Sequence, residues 1–246
     1  RSHLHSILQL SESDSTSTTI IAEKQGDING DGRIDKVLLT GTMTPDSPFW
    51  QNITLVIIEG SHQHSQSIAL KNNAGYNPTV LLGDFTGNQV DDILIVISTG
   101  GSGGTIYAYI FSYINGSIRK IFDSDIFNEE YSYNVNYLDQ YKAQVISRRQ
   151  TEKYVLDLIY KGTAYFTEIY NGNGQLIEPI EGWVNPLSGL YPVDFDRDGT
   201  YELEAYQRIA GRYNADSLGF ILTVLKWDGY TFIPDRQNVA IYGGPI

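Results

Sequence analysis

Three segments of the chain place oxygen-bearing side chains at alternate positions of a nine-residue loop. In the first, Asp27, Asn29, Asp31 and Asp35 stand at positions 1, 3, 5 and 9; in the second, Asp84, Thr86, Asn88 and Asp92; in the third, Asp194, Asp196, Asp198 and Glu202. Carboxylate, amide and hydroxyl oxygens are what a hard cation takes, calcium above all. Glycines within such a loop, here Gly30 and Gly32, let the backbone curl until alternate side chains converge. A solvated acidic turn without metal is the competing reading of any single loop, and recurrence at identical offsets argues against it. Fewer carboxylates attract a divalent ion less, so ligand charge ranks the loops as third, first, second. The ion's expected role is structural, fixing a turn between two strands.

The spacing of the loops carries further information. Their first aspartates are separated by 57 residues, from 27 to 84, and then by 110, from 84 to 194, which is two steps of 55. A fourth copy is therefore expected near Asp139, where positions 3, 5 and 9 have become Tyr141, Ala143 and Ser147, a site that has decayed. Self-similarity at such a period marks a solenoid, a propeller or an array. The flanking runs decide among these. Thr18–Ile21, Lys36–Thr40, Thr79–Leu82, Ile93–Ile97, Leu190–Val193 and Leu203–Tyr206 are short, apolar or β-branched, and bounded by Gly, Asn, Asp or Pro, which is the signature of strands. Further runs, including Asn52–Ile58, Thr105–Phe111, Lys153–Ile159, Ala164–Ile169 and Gly219–Leu225, bring the count to about four strands per unit. An all-β fold follows, expected as a small β-propeller of about four four-stranded blades with repeats starting near residues 18, 77, 131 and 189. It would occupy 15–246 as a single domain, after a polar lead-in over 1–14.

These loops and the apolar strands that follow them resemble the FG-GAP or VCBS repeat, found in integrin α-subunit propellers and in exported bacterial proteins. The resemblance covers nearly the whole chain, although the Phe-Gly and Gly-Ala-Pro landmarks are absent. It implies a calcium loop between the first two strands of a blade, held by the twelve side chains named above. It also implies a backbone carbonyl ligand at position 7, supplied by Arg33, Val90 and Thr200. An EF-hand is excluded because its bidentate Glu at position 12 is here Leu38, Ile95 and Ala205. Paired dockerin loops are excluded by the longer spacing and by strands where helices should follow.

Composition narrows the setting. With 246 residues the chain can bury a sizeable core as one domain. Its net charge of −12 argues against nucleic acid and anionic membranes as partners, since both are polyanions. No run approaches the length of a transmembrane segment, and the absence of cysteine excludes disulfides. Millimolar calcium outside cells would fill sites that the cytosol leaves empty, so an extracellular or envelope-attached protein is expected. A chain opening at Arg1 is expected to have lost a signal or anchor segment. His3, His5, His62 and His64 form two unconnected pairs and read as surface loop rather than a transition-metal site. Gly100–Gly104 contains the letters of a hydrolase elbow, but a strand follows where the elbow needs a helix. Eighteen tyrosines suit an interaction surface. Tyr131, Tyr133, Tyr137 and Tyr141 in particular are read either as strand packing or as a contact face for a glycan. The functional expectation is a monomeric, non-catalytic, calcium-binding interaction or adhesion module with a protein or glycan ligand. A secreted enzyme of the same fold, a polysaccharide lyase or phosphoesterase, is the alternative.

Overall fold

A computed structural model describes residues 17–62 and 64–246; the lead-in over 1–14, His3 and His5 lie outside the described residues. All strand pairing is antiparallel and organised as four successive meanders. The first comprises β1 (Thr19–Gly26), β2 (Asp35–Met43), β3 (Phe49–Ile58) and β4 (Ser65–Ala69), and the second β5 (Gly75–Gly83), β6 (Asp92–Ser98), β7 (Ile106–Ile114) and β8 (Ser117–Asp123). After helix α1 (Ser124–Glu130), the third comprises β9 (Tyr133–Leu138), β10 (Lys142–Ser147) and β11 (Glu152–Asp157). After helix α2 (Gly162–Ile169), the fourth comprises β12 (Glu181–Val193), β13 (Glu202–Ala210), β14 (Ser217–Trp227) and β15 (Phe232–Ala240).

The pairing does not describe four separate blades around an axis. Consecutive meanders are joined by short stretches of ladder, Phe49 and Trp50 of β3 against Tyr76 and Gly75 of β5, and Asn136 and Val135 of β9 against Glu181 and Gly182 of β12. These junctions merge the strands into two sheets, one ordered β1-β2-β3-β5-β6-β7-β8 with β4 on β3, the other β11-β10-β9-β12-β13-β14-β15. The second sheet curls toward a barrel. Tyr154 of β11 donates its hydroxyl to Gln237 Oε1 of β15 at 3.0 Å, and Tyr133 of β9 donates to Gln207 Oε1 of β13 at 2.8 Å. Gln237 closes this interior network by donating to Tyr133 and Thr223.

Strand alternation explains how the cores succeed one another. Ile93, Ile95 and Ile97 of β6 face a core shared with the first meander, built on Val37, Leu39, Ile53 and Leu55. The opposite face of the same strands presents Leu94, Ala108 and Ile110 to Leu187, Leu203 and Leu225 of the fourth meander. The fourth meander then packs Ile209, Leu218 and Ile221 against Val135, Val145 and Leu156 of the third. The order in space is thus first, second, fourth, third.

Among the described residues, two α-helices stand between meanders. α1 has a legible start, since Asp123 accepts the Asp125 amide at 2.9 Å as an N-cap. α2 covers Ala164–Ile169, which reads as a strand; there tertiary contacts override a β-like composition. Phe166 and Tyr170 pack on Tyr141 with ring centroids 4.7 and 4.9 Å away. Asp216, 3 % exposed, takes the Lys161 ammonium, the Tyr165 and Tyr137 hydroxyls and the Arg212 amide, tying the helix to the β13–β14 turn. Burial opposes the Asp216 charge, but Lys161, Tyr165 and the Arg212 amide outweigh it and hold the carboxyl below the ordinary range. A depressed folded-state value contributes stability that is present above the unfolded value and lost as pH falls through the folded one. Asp216→Asn should therefore lower the thermal midpoint at neutral pH and flatten its decline below about pH 4, read by calorimetry across a pH series.

Candidate metal centre

Each acidic loop is a strand connection, β1 to β2, β5 to β6 and β12 to β13, and the three share one backbone path. Positions 4 and 6 have positive φ every time: 78° and 78° at Gly30 and Gly32, 77° and 64° at Gly87 and Gln89, 63° and 92° at Arg197 and Gly199. Left-handed residues at alternate positions swing the side chains between them to one side, and two of the six places tolerate a non-glycine.

The carboxylates build this path. At position 1, Asp27 accepts the Gly30 and Gly32 amides at 2.7 and 2.8 Å, Asp84 accepts those of Gly87 and Gln89 at 2.7 Å each, and Asp194 accepts those of Asp198 and Gly199 at 3.1 Å each. At position 5, Asp31, Asn88 and Asp198 accept the amides of Arg33, Val90 and Thr200, which turns the position-7 peptides. At position 9, Asp35, Asp92 and Glu202 are buried and accept the position-2 amides of Ile28, Phe85 and Phe195. Asn29 at position 3 accepts the Asp31 amide.

The loops differ in the oxygens left over. In the third, carboxylate oxygens of Asp194, Asp196 and Glu202 lie within 4.8 Å of one another, close enough for one divalent ion to engage all three. In the second, Thr86 Oγ1 and Asp92 Oδ1, at positions 3 and 9, are buried without a well-formed hydrogen bond among the described residues; the buried Ser112 hydroxyl lies near enough to Asp92 to favour its charge but is too poorly placed to bond it. Burial pushes the Asp92 carboxyl up to about 6, with Ser112 and the Phe85 amide offsetting part of the rise. Unpartnered buried oxygens facing an acidic loop are what a bound cation would satisfy. In the first loop, Asp35 gives its second oxygen to the Gly60 amide at 2.9 Å, so the position-9 carboxylate is already satisfied on both sides.

The decayed copy is not a loop of this kind. Leu138 of β9 pairs directly with Lys142 of β10, leaving Asp139, Gln140 and Tyr141 as a tight hairpin turn, with Gln140 and Tyr141 at φ 60° and 61°. The Asp139 carboxylate accepts the Leu176 amide instead. Tyr131 and Tyr137 are core residues at 3 and 4 % exposure, so this face packs inward. Gly100–Gly104 forms the connection between β6 and β7. His62 is exposed and meets the Ser61 hydroxyl at 2.8 Å.

A family model described as the YybI C-terminal domain matches residues 131–240, a span containing every strand of the second sheet. The protein YybI of Bacillus subtilis (strain 168) is 60 % identical over 231 residues, covering 94 % of this chain and 88 % of that protein. The chain belongs to the YybI family. No solved structure matches it. This corrects the resemblance to FG-GAP or VCBS repeats, since no such family is found. The physical reason is local. A nine-residue acidic turn is dictated by its own amide-to-carboxylate bonds, so it can arise on unrelated scaffolds; the match to the C-terminal family model contains only the third loop.

The buried position-9 carboxylate should matter to the fold with or without metal. Asp35→Ala leaves the Ile28 and Gly60 amides unpartnered and should cost about 2–6 kcal/mol, one to three for each stranded donor. Exposed Asp31→Ala should cost less than about 0.5 kcal/mol in the same urea titration in chelator.

Proposed function

We propose that this YybI-family protein is a non-catalytic binding module of exported type whose acidic loops take calcium as structural braces. The observation that carries the reading is the third loop, where three carboxylates of a recurring nine-residue turn converge within 4.8 Å. Oxygen-only ligands favour calcium over zinc or copper. Asp194, Asp196, Asp198 and Glu202 would hold the ion in the third loop with the Thr200 carbonyl. Asp84, Thr86, Asn88 and Asp92 would do so with Val90 in the second, and Asp27, Asn29, Asp31 and Asp35 with Arg33 in the first. Charge alone places the first loop above the second, whereas geometry favours the second, because its unpartnered Thr86 and Asp92 oxygens gain most from a cation. An extracytoplasmic setting follows from calcium supply, and three ions would neutralise half of the excess negative charge.

The ligand face is better sought on the outer side of the fourth meander than around Tyr131 and Tyr137. There Tyr191, Tyr206, Phe220 and Tyr242 form a chain of edge-on aromatic contacts with centroids 5.2, 6.3 and 6.5 Å apart. Tyr191 and Tyr242 are exposed. Such amphipathic rings suit a glycan or a protein partner.

Calcium that binds only the folded state stabilises it by mass action, so the thermal midpoint should rise with calcium by the equivalent of about 2.7 kcal/mol at a hundredfold excess over Kd. The rise should be smaller in Asp194→Asn/Asp196→Asn. Calorimetry showing no calcium uptake, with a midpoint unmoved by chelator, would sink the proposal.

A further inference from the structure

The three loops touch one another, and the contact is the same both times. The Asp91 amide, at position 8 of the second loop, donates to the Asp27 carbonyl at position 1 of the first, 3.1 Å away. The Tyr201 amide, at position 8 of the third loop, donates to the Asp84 carbonyl at position 1 of the second, 2.8 Å away. Glycines make the approach possible at equivalent places. A Cβ on Gly26 would strike the Asp91 carboxylate, and one on Gly83 would lie 2.9 Å from the Tyr201 ring. At position 4, a Cβ on Gly30 would lie 3.2 Å from Val90 and one on Gly87 3.4 Å from Thr200. In the third loop these two places hold Val193 and Arg197.

The row therefore runs first, second, third, and its second contact crosses from one sheet to the other. Its middle member carries the two unpartnered buried oxygens, Thr86 Oγ1 and Asp92 Oδ1. Asp91 occupies no ligand position of the nine-residue pattern, yet it lies over Gly26 within reach of the charges of both Asp27 and Asp84.

We propose that the three loops fill with calcium as one coupled array spanning both sheets, and that Asp91 lends its carboxylate to the first two sites. The proposal rests on the calcium reading of the loops. A cation held by the position-1 carboxylate fixes that residue's peptide, and the peptide's carbonyl receives the neighbour's position-8 amide. Position 8 lies between the neighbour's ligands at 7 and 9, so ordering one loop orders half of the next. Sites linked in this way raise each other's affinity reciprocally. Repulsion between the ions opposes this and is reduced by salt screening at these solvent-facing loops.

The test is calorimetric titration of the whole protein with calcium alone. Emptying the third loop with Asp194→Asn/Asp196→Asn should remove that site and also raise the Kd of the second by about fivefold or more, the lower end of measured couplings. Asp91→Asn should weaken the first and second sites more than the third. Gly83→Ala should keep three sites while reducing the effect of emptying the third on the second. If the double variant does not fold, Asp196→Asn, at an exposed position, reads the same coupling. A second-site Kd indifferent to the third loop overturns the coupling and leaves the calcium reading standing. Absence of uptake by the unaltered protein overturns both.

Discussion

Each acidic turn exists because a buried carboxylate at its ninth position takes the amide of its second, and much of the molecule follows from that bond. It crosses the mouth of the loop, so the two strands it joins are paired right up to the loop, the last residue of one with the first of the next, Gly26 with Asp35 and Gly83 with Asp92. It also aims the position-2 side chain inward. Ile28 enters the core between the first and second meanders, and Phe85 enters the core between the second and fourth. The loop is thereby anchored on one side by a satisfied charge and on the other by apolar burial, two terms that separate solvents could not supply together. Phe195, the third of the set, stays half outside and is covered by the Arg236 guanidinium, 4.3 Å from its ring centre.

The strands and the loops were legible in the sequence because both are local. Short apolar runs such as Ile93–Ile97 and Gly219–Leu225 lie within β6 and β14, where strands packed on both faces bury most of the run. The acidic side chains sit where their own peptide amides put them, which is why the offsets in the sequence reappear as one backbone path. What was not legible is how meanders meet. The two-residue ladders that merge four units into two sheets depend on Phe49, Trp50 and Gly182 meeting residues that lie 25 to 47 positions away. No periodicity encodes such meetings. Resemblance to a repeat family carried a ring of blades with it, and the ring does not follow from the loops.

Helix α2 shows the same division. Ala164–Ile169 has the aromatic and β-branched content of a strand, and a strand it would be if its neighbours offered an edge. Instead the surrounding surface offers Asp216, a buried acid that needs Lys161 and Tyr165 together, and the platform of Tyr141. Lys161 ends a 3-10 turn over Ile159–Lys161 and Tyr165 lies in the first turn of α2, so Asp216 binds both the turn that leads into the helix and the helix itself. A single buried charge thus fixes where the helix begins, while the packing of Phe166 and Tyr170 on Tyr141 holds its other face. The Asp123 cap of α1 is the opposite case, a signal written in the adjacent residues.

The tight turn at Asp139, where the spacing of the other loops leads one to expect an acidic loop, is explained by its place in the fold. The third meander lies at the far end of the spatial order, beyond the fourth, where Val193 and Arg197 replace the glycines that elsewhere admit a neighbouring loop. With side chains at both places, the third loop cannot receive another at the distance the first two achieve, since a Cβ there would meet the neighbour as one on Gly26 or Gly83 does. A fourth acidic loop would then hang without the amide-to-carbonyl contact that supports the others. The chain closes that corner with a tight turn at Asp139 instead, and spends the aspartate on the Leu176 amide. The row of loops ends where the packing can no longer hold one.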